Sequence, residues 1–525
     1  MIILEKRTLG CLALTAAKAY KTKTAFQIYR DSHIYGVLNY AGFGEKALRF
    51  AGLLLDRGLT SGGRVMILSE NHTMWPVAYF GTALAGGISV PALMDFTPGQ
   101  ISAIAAHCGA SFICYSERSR TRFLEAEIDN SIPRLALNGK DLLEGKRMPE
   151  ISSLPRVDEN DPASIIYTSG TSGASKGVVL THLNLIFTAQ ASRSLMKIYS
   201  RDRLLSVIPL AHTYECTLGL LAPVMSGASV TYLDKPASPG VLLPAMQTLR
   251  PTAMVSVPLF IEKICKNSIF PKLKKNPLYK FPLTRYLAIR AAGARLMAAL
   301  GSLVRFFGLG GAPLDEEVEN FLRKAGFPYA PGYGLTECAP LVTGTSPYHF
   351  PYRSSGRAVK GVSLRLAESG EIEVKGPNVM PGYYRDEERT KAAFTEDGWF
   401  KTGDLGRIDK KGCLYIKGRL KALILGPSGE NIYPEEIEQL LYNSNMVEDA
   451  LVVPGSRGEL VALIVLDEKA QLALTALGEK LDELKNNINR RMAAFSRLSR
   501  IEVRQAPFEK TPTSKIKRFL YAPHN

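Results

Sequence analysis

The sequence lacks regularly spaced cysteines, and this absence narrows the classes of site that it can form. Its seven cysteines are scattered over 525 residues, are odd in number and never form a C-x-x-C pair. Structural zinc sites and disulfide frameworks depend on regular cysteine spacing, so neither is expected. A reducing compartment fits this cysteine usage best, and we therefore predict a cytoplasmic location.

Long apolar runs are also missing. No segment offers the roughly 20 uncharged apolar residues that a membrane-spanning helix needs. The apolar patch near the N-terminus is short and contains the acidic Glu5, which argues against a secretory signal. No transmembrane helix is expected, and any association with a membrane should be peripheral.

Acidic residues are absent from one long stretch of a protein whose net charge is +16. Residues 263–314 contain ten Lys or Arg residues and no Asp or Glu. A second basic concentration covers residues 485–518. Such surfaces suit a nucleic acid, an anionic membrane or a polyanionic small ligand. No nucleic-acid-binding motif accompanies them, so no nucleic acid partner is expected, while the other two partners remain open. Apolar residues interleaved with the first set of charges are Tyr279, Phe281, Leu283, Tyr286, Leu287 and Ile289.

The elements that are present form an α/β pattern in two parts. Through the first four hundred residues, short apolar segments typical of strands alternate with amphipathic helical segments such as residues 45–57. This alternation predicts βαβ units and mostly parallel sheets that are covered by helices. The predicted strands include residues 64–68, 87–91, 111–115, 204–208, 228–233 and 253–257.

The pattern changes after residue 417, and the chain is too long for a single ordinary core. The segments that follow predict helices at residues 434–441 and 481–492 and strands at residues 451–453 and 460–466. We therefore predict a large domain of residues 1–417 and a small α+β domain of residues 418–525.

Residues 167–177 are the most informative segment. They contain three glycines, five Ser or Thr residues and one lysine, directly after an apolar run that predicts a buried strand end. Glycines let backbone N–H groups turn toward an anion, and hydroxyls add further donors. The segment is not a Walker loop, because Ser175 precedes the lysine and Gly177 follows it. It predicts a polyphosphate site formed by Thr168, Ser169, Gly170, Thr171, Ser172 and Gly173, with Lys176 as a mobile positive charge.

This segment resembles the phosphate loop of the adenylate-forming superfamily, which contains acyl-CoA synthetases, luciferases and peptide-synthetase adenylation domains. The family often has proline where Ser175 stands. Five further segments resemble the superfamily in the expected order, so the resemblance covers nearly the whole chain. It implies a large, multi-lobed N-terminal domain and a small, mobile C-terminal domain.

Residues 308–314 follow a predicted strand and precede a predicted helix that begins near Asp315. The glycines of this segment do not form a complete G-x-G-x-x-G motif, because Pro313 interrupts it. The resemblance implies that Gly310, Gly311, Ala312 and Pro313 form the wall beside adenine, where missing side chains let a flat base approach.

Residues 333–337 match the next segment of the superfamily. The resemblance implies that Tyr333 stacks on adenine and that Gly334 belongs to the same nucleotide site. Thr336 is implied to reach a phosphate and to take part in catalysis. Glu337 is implied to hold the Mg²⁺ that accompanies ATP.

Residues 399–404 place a carboxylate on a predicted tight turn. The superfamily uses the matching aspartate to accept hydrogen bonds from both ribose hydroxyls, and the resemblance gives this role to Asp404, with Arg419 assisting. Lys421 falls where relatives have the hinge residue between the two domains. The next position is often acidic in relatives but is Ala422 here.

The tail at residues 509–518 resembles the last motif of the superfamily, with Lys515 as the catalytic lysine. Most relatives have glycine immediately before this lysine, whereas this chain has Ser514. The pattern T-P-T-x-K-x-K-R is similar to the version found in long-chain fatty acyl-CoA synthetases.

Residues 209–215 resemble the segment that borders the acyl pocket, and His212 is implied to lie beside the substrate carboxylate. The apolar residues 218–224 and 255–261 are candidates for an alkyl tunnel. Tyr214 and Cys216 offer no carboxylate for the ammonium group of an amino acid. Residues 263–305 are predicted to contact an anionic membrane or to frame the tunnel mouth.

The resemblance implies an ATP-dependent fatty acyl-CoA synthetase for long-chain acids. A fatty acid and Mg-ATP would give acyl-AMP and pyrophosphate, and CoA would then take the acyl group after the small domain swings about Lys421. Alternatives within the superfamily are an acyl carrier protein synthetase and an aryl-CoA ligase. An alternative of another class is a non-catalytic scaffold that binds membrane or nucleic acid.

Overall fold

The computed structural model describes residues 2–137, 142–144, 146–169, 175–425, 431–444, 446–455, 459–467, 477–511 and 515–521. In chain order, the strands β1 to β25 are Thr24–Arg30, His33–Asn39, Arg64–Leu68, Ile88–Ala92, Ala110–Tyr115, Arg134–Ala136, Pro162–Ser169, Ser175–Thr181, Arg203–Ser206, Ser229–Leu233, Ala253–Ser256, Phe306–Leu309, Tyr329–Gly334, Leu341–Gly344, Arg357–Ala358, Ser363–Leu366, Glu371–Lys375, Gly382–Tyr383, Phe400–Ile408, Leu414–Arg419, Ile424–Leu425, Asn431–Ile432, Val447–Pro454, Leu460–Leu466 and Leu498–Val503.

The α-helices α1 to α16 in the described residues are Leu9–Tyr20, Tyr40–Asp56, Met74–Leu84, Pro98–Cys108, Arg120–Glu125, His182–Ala191, Ala222–Ser226, Pro239–Leu249, Pro258–Ile264, Phe270–Lys275, Pro277–Lys280, Pro282–Ala299, Glu316–Ala325, Glu387–Ala392, Pro434–Tyr442 and Leu477–Asn489. Two π-helical segments, Glu215–Leu221 and Cys265–Ile269, extend α7 and α9 respectively. No helix among the described residues is long and apolar enough to cross a membrane.

The first sheet has nine strands in the order β15-β14-β13-β12-β11-β9-β10-β1-β2. Its six central strands run parallel, and antiparallel strands flank them on both sides. The carboxyl ends of parallel strands meet at one edge, which is where open α/β sheets bind ligands. This edge receives the loops after β9 and β12, which carry the predicted acyl-pocket segment at residues 209–215 and the predicted adenine wall.

The second sheet has the order β18-β8-β7-β4-β3-β5-β6. Its strands β7, β4, β3, β5 and β6 are parallel, whereas β8 and β18 add an antiparallel edge. The largest apolar cluster packs side chains from both large sheets together with α1, α2 and α3. Its biggest fully buried side chains include Trp75, Tyr79 and Tyr232.

A third, fully antiparallel sheet has the order β16-β17-β19-β20 and ends at the start of the last hundred residues. Those residues form the three-stranded sheet β23-β24-β25, against which α15 and α16 pack through an apolar cluster of their own. Arg518 donates two 2.7 Å hydrogen bonds to the buried Glu438 carboxylate and one to the carbonyl of Val452, which ties the C-terminal tail to α15.

The α/β prediction is confirmed, including the large N-terminal part with mixed sheets and the smaller C-terminal part. Most predicted strands shift by one or two residues, and helix α2 starts five residues before the predicted 45–57 helix, at Tyr40. The helix predicted at residues 481–492 instead spans Leu477–Asn489. These shifts arise because apolar periodicity defines the centre of an element better than its ends.

Candidate active site

The phosphate segment connects two antiparallel strands, β7 and β8, of the second sheet. The sequence predicted a loop leaving a buried strand, and the structure shows that the chain returns along the same sheet edge. Thr168 lies near the end of β7, and its hydroxyl is buried with no hydrogen-bond partner among the described residues. A buried hydroxyl without a partner is rare, and it fits a donor to an anion. The predicted donors Gly170, Thr171, Ser172 and Gly173, and the side chain of Ser169, lie outside the described residues.

Lys176 is held by two partners, although the sequence suggested a mobile charge. Its Nζ donates to Glu337 Oε1 at 2.6 Å and to the Tyr383 hydroxyl at 2.8 Å, and lies 4.4 Å from the centre of the Tyr383 ring. The Tyr383 hydroxyl also donates to Glu337 at 3.1 Å. Sequence analysis missed Tyr383 because it lies 207 residues from Lys176 and carries no spacing signal.

Glu337 is the predicted metal ligand, and its surroundings keep it charged. The residue is only 7% exposed and lies in the 3₁₀ turn Thr336–Cys338, which also contains the half-buried Thr336. Burial alone would raise the pKa of Glu337, but the charge and hydrogen bond of Lys176 outweigh it and hold the pKa below its ordinary value. An ionised carboxylate is a hard oxygen ligand of the kind that Mg²⁺ prefers, so the residue fits the proposed ion.

Asp404 lies at the centre of a polar corner between the first and third sheets. It is 4% exposed, and its carboxylate accepts a 2.6 Å hydrogen bond from the Tyr333 hydroxyl and a 2.7 Å ion pair from Arg419 Nε. The prediction of a tight turn was wrong, because Asp404 lies within β19 and faces Arg419 on β20 in register. Burial raises the pKa of Asp404, and the positive charge of Arg419 opposes this most strongly.

The predicted adenine wall follows β12. The amide of Gly310 donates to the carbonyl of Ser256 at 3.2 Å, which joins the wall to the end of β11. Gly311 has φ +84°, a conformation that favours glycine, and Gly311, Ala312 and Pro313 are exposed. The ring of Tyr214 fills the space behind the wall, because a Cβ at Gly310 would lie 3.2 Å from it.

The catalytic lysine predicted in the tail lies in the same cleft. Although Lys515 as a residue is exposed, desolvation by the surrounding cleft and then the charge of Arg419 lower the pKa of its ammonium group. Its charge acts on both Asp404 and His212. The chain thus brings together residues that are separated by more than three hundred positions.

His212 is a neutral imidazole with an unused nitrogen. Burial, followed by the positive charge of Lys515, lowers the pKa of His212 to about 4. Its Nδ1 is buried, and no residue in the described part of the chain forms a hydrogen bond with it. An imidazole that stays neutral near a lysine keeps one N–H group, and this group can donate a hydrogen bond to a carboxylate.

Glu215 lies one turn beyond His212 and was missed by the sequence analysis. It begins the π-helical segment Glu215–Leu221 and is 1% exposed. None of the described residues forms a hydrogen bond of good geometry with either carboxyl oxygen, although the Ser206 side chain acts on the group by lowering its pKa. Burial raises the pKa of Glu215 to about 8, so the group is a neutral acid at pH 7. Short π-helical segments often mark functional sites, but a π-helix cannot be told from an α-helix by apolar spacing.

Lys421, the predicted hinge residue, is exposed in the 3₁₀ turn Leu420–Ala422 between β20 and β21. The turn connects the third sheet, which holds Asp404, with the C-terminal part, which holds Lys515. Its position is compatible with a hinge, and the role remains a prediction.

The cleft and the α/β architecture around it define an adenylate-forming enzyme. The chain belongs to the AMP-binding enzyme family, whose sequence pattern matches residues 14–384. The pattern of the AMP-binding enzyme C-terminal domain matches residues 422–521. The domain boundary at residues 417 and 418 itself remains a prediction.

Relatives within this family act on different acids according to their names. Long-chain-fatty-acid–CoA ligase FadD15 of Mycobacterium bovis is 31% identical over 458 residues, which cover 79% of this chain and 75% of that protein. 4-Coumarate–CoA ligase 3 of Arabidopsis thaliana is 28% identical over 513 residues, which cover 91% of this chain and 85% of that protein. Family membership therefore establishes an AMP-forming acid–thiol ligase type and leaves the acid open.

Solved structures share the fold over almost the whole chain. ATP-bound MatB from Rhodopseudomonas palustris has a TM-score of 0.78 at 25% identity and covers 98% of both chains. O-succinylbenzoate coenzyme A synthetase (MenE) from Bacillus subtilis, in complex with AMP, has a TM-score of 0.79 at 23% identity and covers 97% of both chains. The second likeness concerns the fold alone.

Proposed function

We propose that this protein is an ATP-dependent acyl-CoA synthetase whose substrates are long-chain fatty acids. The observation that carries the proposal is the corner at Asp404, where Tyr333 and Arg419 hold the carboxylate and the charge of Lys515 acts on both Asp404 and His212. A cation, a ribose-binding carboxylate and a neutral hydrogen-bond donor are the groups that acyl-adenylate formation requires. The relative FadD15, named as a long-chain ligase, supports the choice of acid.

In the first half-reaction, a carboxylate oxygen of the fatty acid attacks the α-phosphorus of ATP. The bond from the α-phosphorus to the bridging oxygen breaks, and pyrophosphate leaves with its electron pair. His212 would orient the attacking carboxylate, while Lys515 and Thr168 would stabilise negative charge on the phosphates. Asp404 would accept hydrogen bonds from the ribose hydroxyls. Glu337 would hold Mg²⁺, which neutralises phosphate charge when it is bound.

In the second half-reaction, the thiolate sulfur of CoA attacks the carbonyl carbon of the acyl-adenylate. The carbon–oxygen bond to AMP breaks, and AMP leaves with the electron pair as the thioester forms. Lys515 has no pyrophosphate to stabilise at this stage. A swing of the small domain about Lys421 would withdraw the lysine and admit the thiol.

Two features of the chain favour an aliphatic acid over an amino acid. Residues 219–224, which begin seven positions after His212, are buried in the main apolar cluster and offer no charged group to a substrate. Glu215 is the acidic residue of the predicted acyl-pocket segment at residues 209–215. Because its pKa is raised to about 8, it is neutral at pH 7 and is a poor partner for an ammonium group.

The proposal is tested by pyrophosphate release with ATP and Mg²⁺ across a series of saturated fatty acids, with 4-coumarate as the aromatic comparison. CoA and a phosphopantetheinylated acyl carrier protein are then supplied as alternative acceptors. Release that increases with chain length and thioester formation on CoA would support the proposal. Preference for 4-coumarate, or transfer to the carrier protein alone, would replace it with the corresponding alternative.

A further inference from the structure

One basic surface is not used by the proposed reaction. It is formed by helices α10, α11 and the start of α12, residues 270–287, and is called the basic elbow below. Four of its large apolar side chains point into solvent: Leu278 is 49% exposed, Phe281 64%, Tyr286 57% and Leu287 63%. Single exposed apolar residues are ordinary, but four within ten residues form a patch that marks a contact surface.

The elbow is held in shape by its own hydrogen bonds. The Thr284 hydroxyl donates to the carbonyl of Leu278 at 2.6 Å, and Arg285 Nε donates to the carbonyl of Tyr279 at 3.0 Å. Asn276 caps α11 by accepting from the amide of Leu278 at 3.0 Å. Phe270 and Leu273 anchor α10 in the apolar cluster beneath. The exposed apolar residues are therefore presented on a supported surface.

Positive charge surrounds the apolar residues. Lys272, Lys274, Lys275, Lys280 and Arg285 are all exposed, and no acidic residue lies between positions 263 and 314. One of these charges meets a carboxylate, because Lys274 Nζ lies 3.6 Å from Glu317, and both side chains are more than half exposed. Such an exposed pair neutralises little of the surface field.

We propose that the basic elbow docks this protein onto an anionic lipid membrane, with Phe281 and Leu287 inserted at the boundary between headgroups and acyl chains. Basic residues around aromatic and aliphatic side chains match a surface that is negative outside and apolar beneath. A nucleic acid backbone offers negative charge but no apolar layer, so it would leave the four apolar side chains without a partner.

The elbow is linked along the chain to the active site. Helix α9 begins directly after Val257, whose Cγ1 lies 3.9 Å from the place of a Cβ on Gly311 in the adenine wall. Val257 and Leu259 are themselves 41% and 55% exposed. The segments between the cleft-bordering Val257 and the elbow are α9 and the π-helical segment Cys265–Ile269. The docking proposal does not depend on the proposed function.

The test is co-sedimentation of the full chain with phosphatidylcholine vesicles, with and without phosphatidylserine. We expect pelleting with the anionic vesicles at low salt and its loss at about 0.5 M salt, where exposed charges are screened within a few ångströms. Each basic residue near an anionic leaflet increases the affinity for the membrane about fivefold. The triple variant Lys272→Gln, Lys275→Gln and Lys280→Gln should therefore bind the vesicles on the order of 100-fold more weakly. Equal pelleting with neutral and anionic vesicles at low salt would overturn the proposal.

A matched control separates the elbow from overall charge. The variant Lys360→Gln, Lys410→Gln and Lys411→Gln removes three exposed charges elsewhere and should bind like the wild type. Equal weakening by the two triple variants would overturn the elbow as the docking site. The pair Phe281→Ser and Leu287→Ser should also lose vesicle binding, whereas the exposed Leu124→Ser should not.

Insertion is measured with Leu287→Trp and vesicles that contain brominated lipid. Quenching of the added tryptophan relative to the parent protein supports insertion, and quenching no greater than that of the parent overturns it. If the triple variant Lys272→Gln, Lys275→Gln and Lys280→Gln lost binding to duplex DNA but kept binding to vesicles, the surface would be assigned to nucleic acid and the membrane proposal would be overturned. The Lys515→Ala variant should pellet like the wild type, so failure of docking and failure of the proposed catalysis remain distinguishable.

Discussion

At the scale of single residues, the site is built from polar groups with unusual surroundings. Within the ranges that the structure describes, a buried nitrogen of His212, the buried hydroxyl of Thr168 and the buried carboxyl oxygens of Glu215 lack hydrogen bonds of good geometry. Sequence patterns located His212 and Thr168 because both belong to recognisable segments. Glu215 was missed because the residue looks ordinary in the sequence, and only its burial and missing partners identify it.

His212→Ala should affect the acid and leave ATP binding nearly unchanged. Loss of one hydrogen bond to a charged group costs roughly 1.5 kcal/mol, so KM for the fatty acid should increase about tenfold or kcat should decrease comparably. Steady-state kinetics with each substrate varied in turn measure both effects. The exposed His349→Ala is the control. An equal rise in KM for ATP would contradict the placement of His212 beside the carboxylate.

Glu215 should make the protein less stable as pH rises from about 5 to 8. The unfolded carboxyl group ionises near its ordinary pKa of 4.5, whereas the folded group keeps its proton up to a pKa of about 8. The unfolded state therefore binds fewer protons in this window, and the free energy of unfolding falls by up to about 1.4 kcal/mol per pH unit. Glu215→Gln removes this titration, so its Tm relative to wild type should rise between pH 5 and pH 8. A constant Tm difference would contradict the buried neutral acid.

At the scale of elements, the strands and helices that the sequence predicted are present with small shifts, but the sequence did not predict how β7 and β8 pair. A buried strand such as residues 163–167 is apolar whether its neighbour runs parallel or antiparallel to it. Apolar spacing therefore does not predict the direction of the neighbouring strand. The structure pairs Ile166 with Val178 and Tyr167 with Gly177 in an antiparallel hairpin. The hairpin places Lys176 opposite Glu337, a contact that depends on strand register and cannot be obtained from local sequence.

Gly334→Ala should disturb the turn that presents Glu337. A Cβ at Gly334 would collide with the carbonyl oxygen of Pro340, and backbone atoms cannot move aside cheaply. Overpacking of this kind costs about 1–3 kcal/mol, so Tm should fall by several degrees and KM for Mg-ATP should rise. Thermal unfolding and ATP-dependent kinetics measure the two effects.

Gly240→Ala provides the matched control for this prediction. Gly240 lies in α8, and a Cβ there would meet no atom within 4 Å. Alanine at this position should leave Tm unchanged or raise it slightly, because alanine has the higher helix propensity. If both variants lost the same stability, crowding at Pro340 would not explain the effect.

At the scale of the whole molecule, polar bonds join the C-terminal part to the rest, and Gln439 makes two of them by accepting from Arg353 at 2.8 Å and donating to the carbonyl of Leu314 at 3.0 Å. Arg491 pairs with Glu316 at 2.8 Å, and Lys266 Nζ donates to the carbonyl of Tyr442 at 3.1 Å. The Arg419 amide donates to Glu435 at 2.9 Å. Exposed ion pairs contribute little stability, so such an interface can open at modest cost. Sequence patterns could place the catalytic segments in order, but not show which of them meet.

The two half-reactions should respond in opposite ways to changes at the tail and at the hinge. Lys515→Ala removes a cation that stabilises the departing pyrophosphate, and acyl-adenylate formation should slow by about 10² to 10³. The same variant should still convert supplied acyl-adenylate and CoA to thioester. Lys421→Pro fixes φ in the 3₁₀ turn between the two parts, so it should form acyl-adenylate yet lose thioester formation. Lys421→Ala is the control and should keep both half-reactions. Equal damage to both halves by Lys515→Ala would show that the lysine stays in the cleft throughout, and the domain swing would then be wrong for this protein.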